Sequence, residues 1–269
     1  MSALPMPMPE CKPVRGARGV WLALSLWAVV LAAVACCGGV ARAQDGGAWL
    51  SVMGGELWSP LELNPIAWYQ GDGEALDSSG NGHHGTWVGT ESYAKGKVGS
   101  GFELDGASMV SCGTNFTITT ELTICAWVKP TAEGMFPRIA GAENRWIPYI
   151  YLSNLCFYGS GVNAPMPGAG VELNTNTFIT VRYKDGENIR AYINGMYKGE
   201  ITKTGALSAL TGTPITIGNR TGGDRSFTGT IDDILIFDRA LTPVEIAQLY
   251  NASKAQYGAP WGLPPNPAP

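Results

Sequence analysis

At 269 residues and a formal net charge of -4, the chain has no basic field with which to neutralise a phosphate backbone, which excludes nucleic acid as a partner. Hydrophobic residues make up 45%, ample for one sizeable core. The 36 glycines and 18 prolines punctuate short runs rich in β-branched and aromatic residues, the pattern of an all-β, two-sheet antiparallel sandwich.

In chain order, Lys12, Arg15 and Arg18 precede an apolar run from Val20 to Cys37, and Ala41-Arg42-Ala43 follows before Gln44. That order makes residues 1–43 a secretory signal peptide. An uncleaved membrane anchor is a rival reading of the same run. A lipid on Cys36, after the poorly matching Ala33-Val34-Ala35, is the other. All three place the folded part outside the cytoplasm, secreted or at the cell surface, with membrane contact only if this segment is retained or lipidated. Cleavage leaves Cys112, Cys125 and Cys156, an odd number. One disulfide plus a free thiol, or three buried thiols, are both open.

Residues 44–65 read as a lead-in and residues 66–252 as the domain. Leu122 to Lys129 alternates Leu122, Ile124, Ala126 and Val128 with Thr123, Cys125, Trp127 and Lys129, a strand with one purely apolar face. Between Thr177 and Ile201, three runs are separated by Lys184-Asp185-Gly186-Glu187 and by Asn194-Gly195, which supply the positive-φ residues of tight hairpins. The run TIDDILIF is a further strand. Thr242-Pro243-Val244-Glu245 is a capping box that opens one short C-terminal helix, with Val244, Ile246, Ala247, Leu249 and Tyr250 available to pack. Residues 253–269 are too proline-rich to join a sheet and form an extended tail.

The densest group of hard oxygen donors runs from Asp72 through Asp77 to Asn81 in a glycine-opened loop. Calcium takes about six to eight such oxygens, so Asp72, Asp77 and Asn81, joined by Asp232 and Asp233, form the candidate calcium site. The competing reading of Asp77 and Asn81 is a turn in which they bond their own backbone. Strand alternation sends Asp232 and Asp233 to opposite faces, so one should meet a sheet interior or a ligand. His83 and His84, adjacent and without an evident third ligand, read as a surface turn rather than a zinc site.

For ligand recognition, the loop-rich stretch from Gly141 to Gly170 offers Arg145, Trp146 and Tyr149, whose rings are suited to stacking on sugars. Trp146, set among prolines and charges, is expected to be more exposed than Tyr151. Arg220 and Arg225 in the loop GNRTGGDRSF are candidate rim contacts. No G-x-S-x-G elbow and no paired-glutamate strand is present, and Glu103 and Asp105 fall at a strand end before a turn, so the chain is read as a non-enzyme.

The blocks AWYQGDGEALDSSGNGHHGTW, GFELDG, LTICAWVKP, the hairpin ending in YINGM, and IGNR with GTIDDILIFDRALTPVEI resemble, in order, the laminin-G-like, pentraxin-related jelly rolls of the concanavalin A-like lectin/glucanase superfamily. The resemblance implies a jelly-roll sandwich, a bound calcium ion in many members, and recognition of a glycan or an extracellular protein. Because the scaffold hosts several chemistries, a polysaccharide-active hydrolase or lyase and a purely structural surface protein stand as alternatives.

Overall fold

The computed structural model describes residues 51–53, 56–143, 145–159, 161–203, 205–206, 210 and 212–254. The segment read from sequence as a signal peptide and nearly all of the proposed tail lie outside the described residues. Strands β1 (Ser51–Met53) and β2 (Glu56–Trp58) pair with each other alone. After a 3-10 turn at Pro60–Leu63 come β3 (Ala67–Tyr69), β4 (Thr86–Val88), β5 (Tyr93–Lys95), β6 (Ser100–Asp105), β7 (Met109–Ser111) and β8 (Glu121–Pro130). Next are β9 (Ala140–Ala142), β10 (Trp146–Tyr151), β11 (Asn154–Gly159) and β12 (Val162–Gly170). The chain continues through β13 (Thr177–Lys184), β14 (Ile189–Ile193), β15 (Met196–Ile201), β16 (Ile215–Ile217) and β17 (Thr228–Phe237) to helix α1 (Pro243–Lys254).

These strands build two antiparallel sheets. One runs β12-β11-β10-β9-β16-β7-β4, the other β15-β14-β13-β8-β17-β6-β5 with β3 also on β17. The main core lies between them, where Leu122, Ile124, Ala126 and Val128 of β8 meet residues such as Trp146, Leu155 and Phe157. The opposite face of β8 is not solvated. Cys125 and Trp127 are buried with Trp68, Phe178, Leu235 and Phe237 beneath α1, so the central strand has apolar cover on both sides.

The helix opens as its sequence predicts, with the Glu245 N–H donating to Thr242 Oγ1 and the Thr242 N–H to Glu245 Oε2. Its packing face is Ile246, Leu249 and Ala252, and Trp127 Nε1 donates to Ser253 Oγ at 3.0 Å. Val244, expected to pack, is 75% exposed, because helical periodicity sets it on the face opposite Ile246 and Leu249.

The Asn194-Gly195 hairpin has both residues at positive φ, as the two-residue turn requires. The β10–β11 hairpin makes the same kind of turn with Leu152 (φ 49) and Ser153 (φ 55), where side chains are strained. Replacing Leu152-Ser153 by Asn-Gly is expected to raise stability by about 1–2 kcal/mol, read as an increase in the melting temperature. An unchanged or lower temperature would count against strain at this tip. Strand β12, at a sheet end, carries Pro165 and Pro167, which blunt edge pairing.

Candidate functional site

Two groups of residues carry chemistry. The first lies on β17. Its Thr228–Ile231 segment pairs with β6 and its Ile234–Ile236 segment with β3, so Asp232 and Asp233 fall between the two ladders. On the other flank the register against β8 shifts between Asp232 and Leu235, and Asp233 adopts φ 48. This is a β-bulge with one extra residue.

The bulge overturns the expectation that alternation sends the two aspartates to opposite faces. Both carboxylates reach residues of the layer beneath α1. Asp232 Oδ2 accepts from the Lys97 and Val98 N–H groups at 2.6 and 2.9 Å, and Asp233 Oδ1 accepts from Trp68 Nε1 at 2.9 Å. Both residues are 2% exposed. Burial first, and then the adjacent Asp233 charge, hold the Asp232 carboxyl well above the ordinary carboxylate range, with a smaller push from Asp72. Two glycines admit this crowding. A Cβ at Gly96 would strike Asp232 Oδ2, and one at Gly99 would strike Asp72 Oδ1. Asp72 Oδ1 itself accepts from the Ser100 N–H at 2.7 Å.

A hard cation fits this place, because Asp232 Oδ1 is buried without a hydrogen-bond partner among the described residues and a buried carboxylate without one is costly. No three His, Cys, Asp or Glu side chains among the described residues converge closely enough to hold a metal alone. Backbone carbonyls or water would have to complete the shell. Asp77 is committed otherwise: Oδ1 accepts from the Trp68 and Ser79 N–H groups and Oδ2 from that of His83. Asn81 donates to the Ile66 and Pro65 carbonyls and to Ser79 Oγ. Both occupy the role of turn formers. His84 Nδ1 accepts from the Asp77 N–H, and His83 stacks on Phe116.

The second group is on the outer face of the seven-stranded sheet, which α1 does not cover. Ile147, Tyr149 and Cys156 form a separate small cluster there with Phe136 packed on it. Phe136 sits at φ 60, strained for a bulky residue. Its ring stacks on Tyr151 at 4.6 Å and 28°, meets Tyr149 edge-on at 5.6 Å, and lies 5.2 Å from the Arg225 guanidinium. The Arg138 N–H donates to the Arg225 carbonyl, and Glu143 ion-pairs with Arg138 at 2.8 Å and with Arg220 at 3.6 Å. Arg220 also clasps Asp224, which its guanidinium holds below the usual carboxylate range. Tyr149 Oη donates to Asn163 Oδ1 at 2.8 Å.

Of the residues read from sequence, Tyr149, Arg220 and Arg225 come together here. Arg145 lies in the turn after β9, its N–H donating to the Ala142 carbonyl, and is not brought into contact with them. Nor does Trp146 join them: it is fully buried, whereas Tyr151 is 39% exposed. Trp146 faces the core opposite the small partners Gly159 and Ala142, which leave room for an indole. Period two along β10 sets Ile147, Tyr149 and Tyr151 outward, a signal that outweighs the neighbouring prolines and charges. Phe136, Arg138 and Glu143 were not legible, since they reach this face through a loop and a cross-strand pairing. Glu103 bonds Ser92 Oγ, and Asp105 ends β6 and accepts the Ala107 and Ser108 N–H groups. The three cysteines are buried thiols without a disulfide among them; burial pushes those of Cys112 and Cys125 up to about 12.

Residues 103–247, more than half of the chain, match the Laminin_G_3 family, described as the concanavalin A-like lectin/glucanases superfamily. The chain belongs to this superfamily. Its two-sheet sandwich is shared with domain 4 of a GH43 extracellular arabinanase from Geobacillus stearothermophilus, solved in complex with arabinotriose. The TM-score is 0.61 at 23% identity, over 70% of this chain and 98% of that one. It is also similar to the binding domain of Paraclostridial Mosquitocidal Protein 1 (TM-score 0.58, 18% identity, 71% of this chain and 53% of that one). The botulinum neurotoxin serotype D ligand binding domain in complex with N-acetylneuraminic acid gives a TM-score of 0.51 at 17% identity, over 70% of this chain and 50% of that one. The match spans about half the length of the two toxin domains. No curated protein matches the sequence.

Proposed function

We propose that this chain is a non-catalytic recognition module, secreted or held at the cell surface, that binds glycan on the outer face of its seven-stranded sheet. The observation that carries this reading is the exposed Tyr151 ring stacked on Phe136 beside the Arg225 guanidinium. An aromatic face flanked by fixed polar donors is suited to the C–H face and hydroxyls of a sugar ring. The liganded state of the arabinanase domain and of the serotype D domain supports a glycan over a protein partner. Binding rather than hydrolysis is favoured because Glu143 and Asp224 on this face are both tied to arginines, leaving no free carboxylate pair among the described residues beside the rings to serve as acid and nucleophile. A calcium ion at Asp232 and Asp233, near Asp72, belongs to the same proposal as a structural element of the fold.

Titration of the purified domain with arabino-, gluco- and sialo-oligosaccharides tests this reading. Tyr151→Ala is expected to weaken the tightest interaction about tenfold or more, since one stacked ring contributes on the order of 1–3 kcal/mol, with the melting temperature little changed. Binding that is indifferent to Tyr151→Ala, or none with any saccharide at millimolar concentration, would sink it.

A further inference from the structure

We infer that the glycan taken by this face is an acidic one, its carboxylate held by Arg225; this rests on the glycan-binding reading above. The charges gathered here are unlike those of the chain as a whole. Arg138, Arg220 and Arg225 face two carboxylates, Glu143 and Asp224, an excess of one positive charge (three minus two) on a chain whose formal net charge is -4. Glu133 stands at the far end, bonded to Ser153 Oγ beside the hairpin tip.

The three arginines are not equivalent. Arg138 is buried and spends its guanidinium on Glu143, and Arg220 forks onto Asp224. These two are engaged in ion pairs and act to orient the carboxylates. Arg225 is different: it approaches Asp224 Oδ2 only at 3.7 Å, gives one Nη1 contact of 3.3 Å to the Asp224 carbonyl, and otherwise lies over Phe136. Among the described residues, the structure therefore presents one guanidinium group, that of Arg225, with donors to spare on this face. Arg225 stands one aromatic ring away from the exposed face of Tyr151, with Phe136 between them. A guanidinium fork matches a carboxylate in a bidentate way that a neutral hydroxyl cannot reproduce. An oligosaccharide with one ring on the exposed face of Tyr151 and the carboxylate of a further residue at Arg225 uses both groups at once. Phe136 is in this view a positioning residue, held at positive φ so that its ring separates and aligns the stacking face and the cation.

The test compares trigalacturonate with its fully methyl-esterified form, and sialyllactose with lactose, by calorimetry on the domain at about 50 mM and about 300 mM salt. The esterified and neutral partners keep the ring and lose only the charge. A preference of about tenfold or more for the free acid is expected in at least one pair, shrinking at the higher salt. Arg225→Gln is expected to bring that ratio close to one. Neutral or esterified sugars binding as well as the acids would overturn the inference while leaving glycan recognition standing. Acid selectivity untouched by Arg225→Gln, the variant folded by circular dichroism, would overturn the site. Binding of none of the four saccharides, nor of the broader oligosaccharide panel, would overturn the underlying reading and the inference with it.

Discussion

In the presence of a chelator at neutral pH, Asp232→Asn is expected to melt about 3–10 °C above the parent protein, and in calcium the order of the two should reverse. Asp232 is buried against Asp233 with one oxygen bonded to two backbone N–H groups and the other to none. A carboxylate in that position is a net cost unless something positive meets it. The amide retains an oxygen for the Lys97 and Val98 N–H groups, removes the like-charge repulsion and adds a donor toward Asp233. Relief of about 1–3 kcal/mol is expected, at about 2–4 °C per kcal/mol for a domain of this size. The cation proposed at Asp232 and Asp233 acts in the opposite sense on the parent. A ligand at about one hundred times its dissociation constant adds about 2.7 kcal/mol to the native state, and the variant should gain little of this. Differential scanning fluorimetry of both proteins with and without calcium decides the matter. If saturating calcium leaves the parent unchanged, the cation site fails; if the variant melts lower in chelator, the account of Asp232 as an unfavourable buried charge fails.

Gly229→Ala is expected to be the more damaging change, on the order of 3–5 kcal/mol, without touching either candidate site. Gly229 has φ 133 and pairs with Leu104 of β6 on one side and Pro130 of β8 on the other. A Cβ there would lie 2.2 Å from the Lys129 carbonyl oxygen and 3.0 Å from Pro130 Cα, both backbone atoms that cannot swing aside. The methyl group therefore adds backbone strain and separates β17 from β8, the two strands at the centre of the sheet. Chemical denaturation is the measurement. A loss below about 1 kcal/mol would show that the β8–β17 ladder is looser than its register indicates.

The two candidate sites differ in how a fold supplies chemistry. The carboxylate pair owes its position to a register fault: one extra residue on β17 at the gap between two partner strands turns adjacent aspartates toward the same buried layer. The outer face owes its shape to what is absent over it. Helix α1 covers the eight-stranded sheet, and its apolar residues bury Trp127 and Phe178. Among the described residues, the Phe136 loop and the Arg220–Arg225 loop lie over the seven-stranded sheet, and aromatic and guanidinium groups there remain within reach of solvent.

By itself the sequence determined the elements whose causes are local. The Asn194-Gly195 hairpin, the alternation of Leu122 to Val128, the Thr242–Glu245 cap and the end of β6 at Asp105 follow from backbone preference and periodicity within a few residues. Ordered blocks of such elements were enough to indicate the superfamily. Only the tertiary structure decided which of two alternating faces is covered: Trp146 is inside because Gly159 and Ala142 lie opposite it, and Trp127 is dry because a helix more than one hundred residues later folds over it. It also decided that Asp232 and Asp233 share a side, since a bulge is visible only against the partner strand that it fails to match. Burial and charge pairing are properties of neighbours brought from elsewhere in the chain. Residue type alone could nominate Tyr149, Arg220 and Arg225, but it took the folded sheet to set them beside Phe136 and to withdraw Trp146.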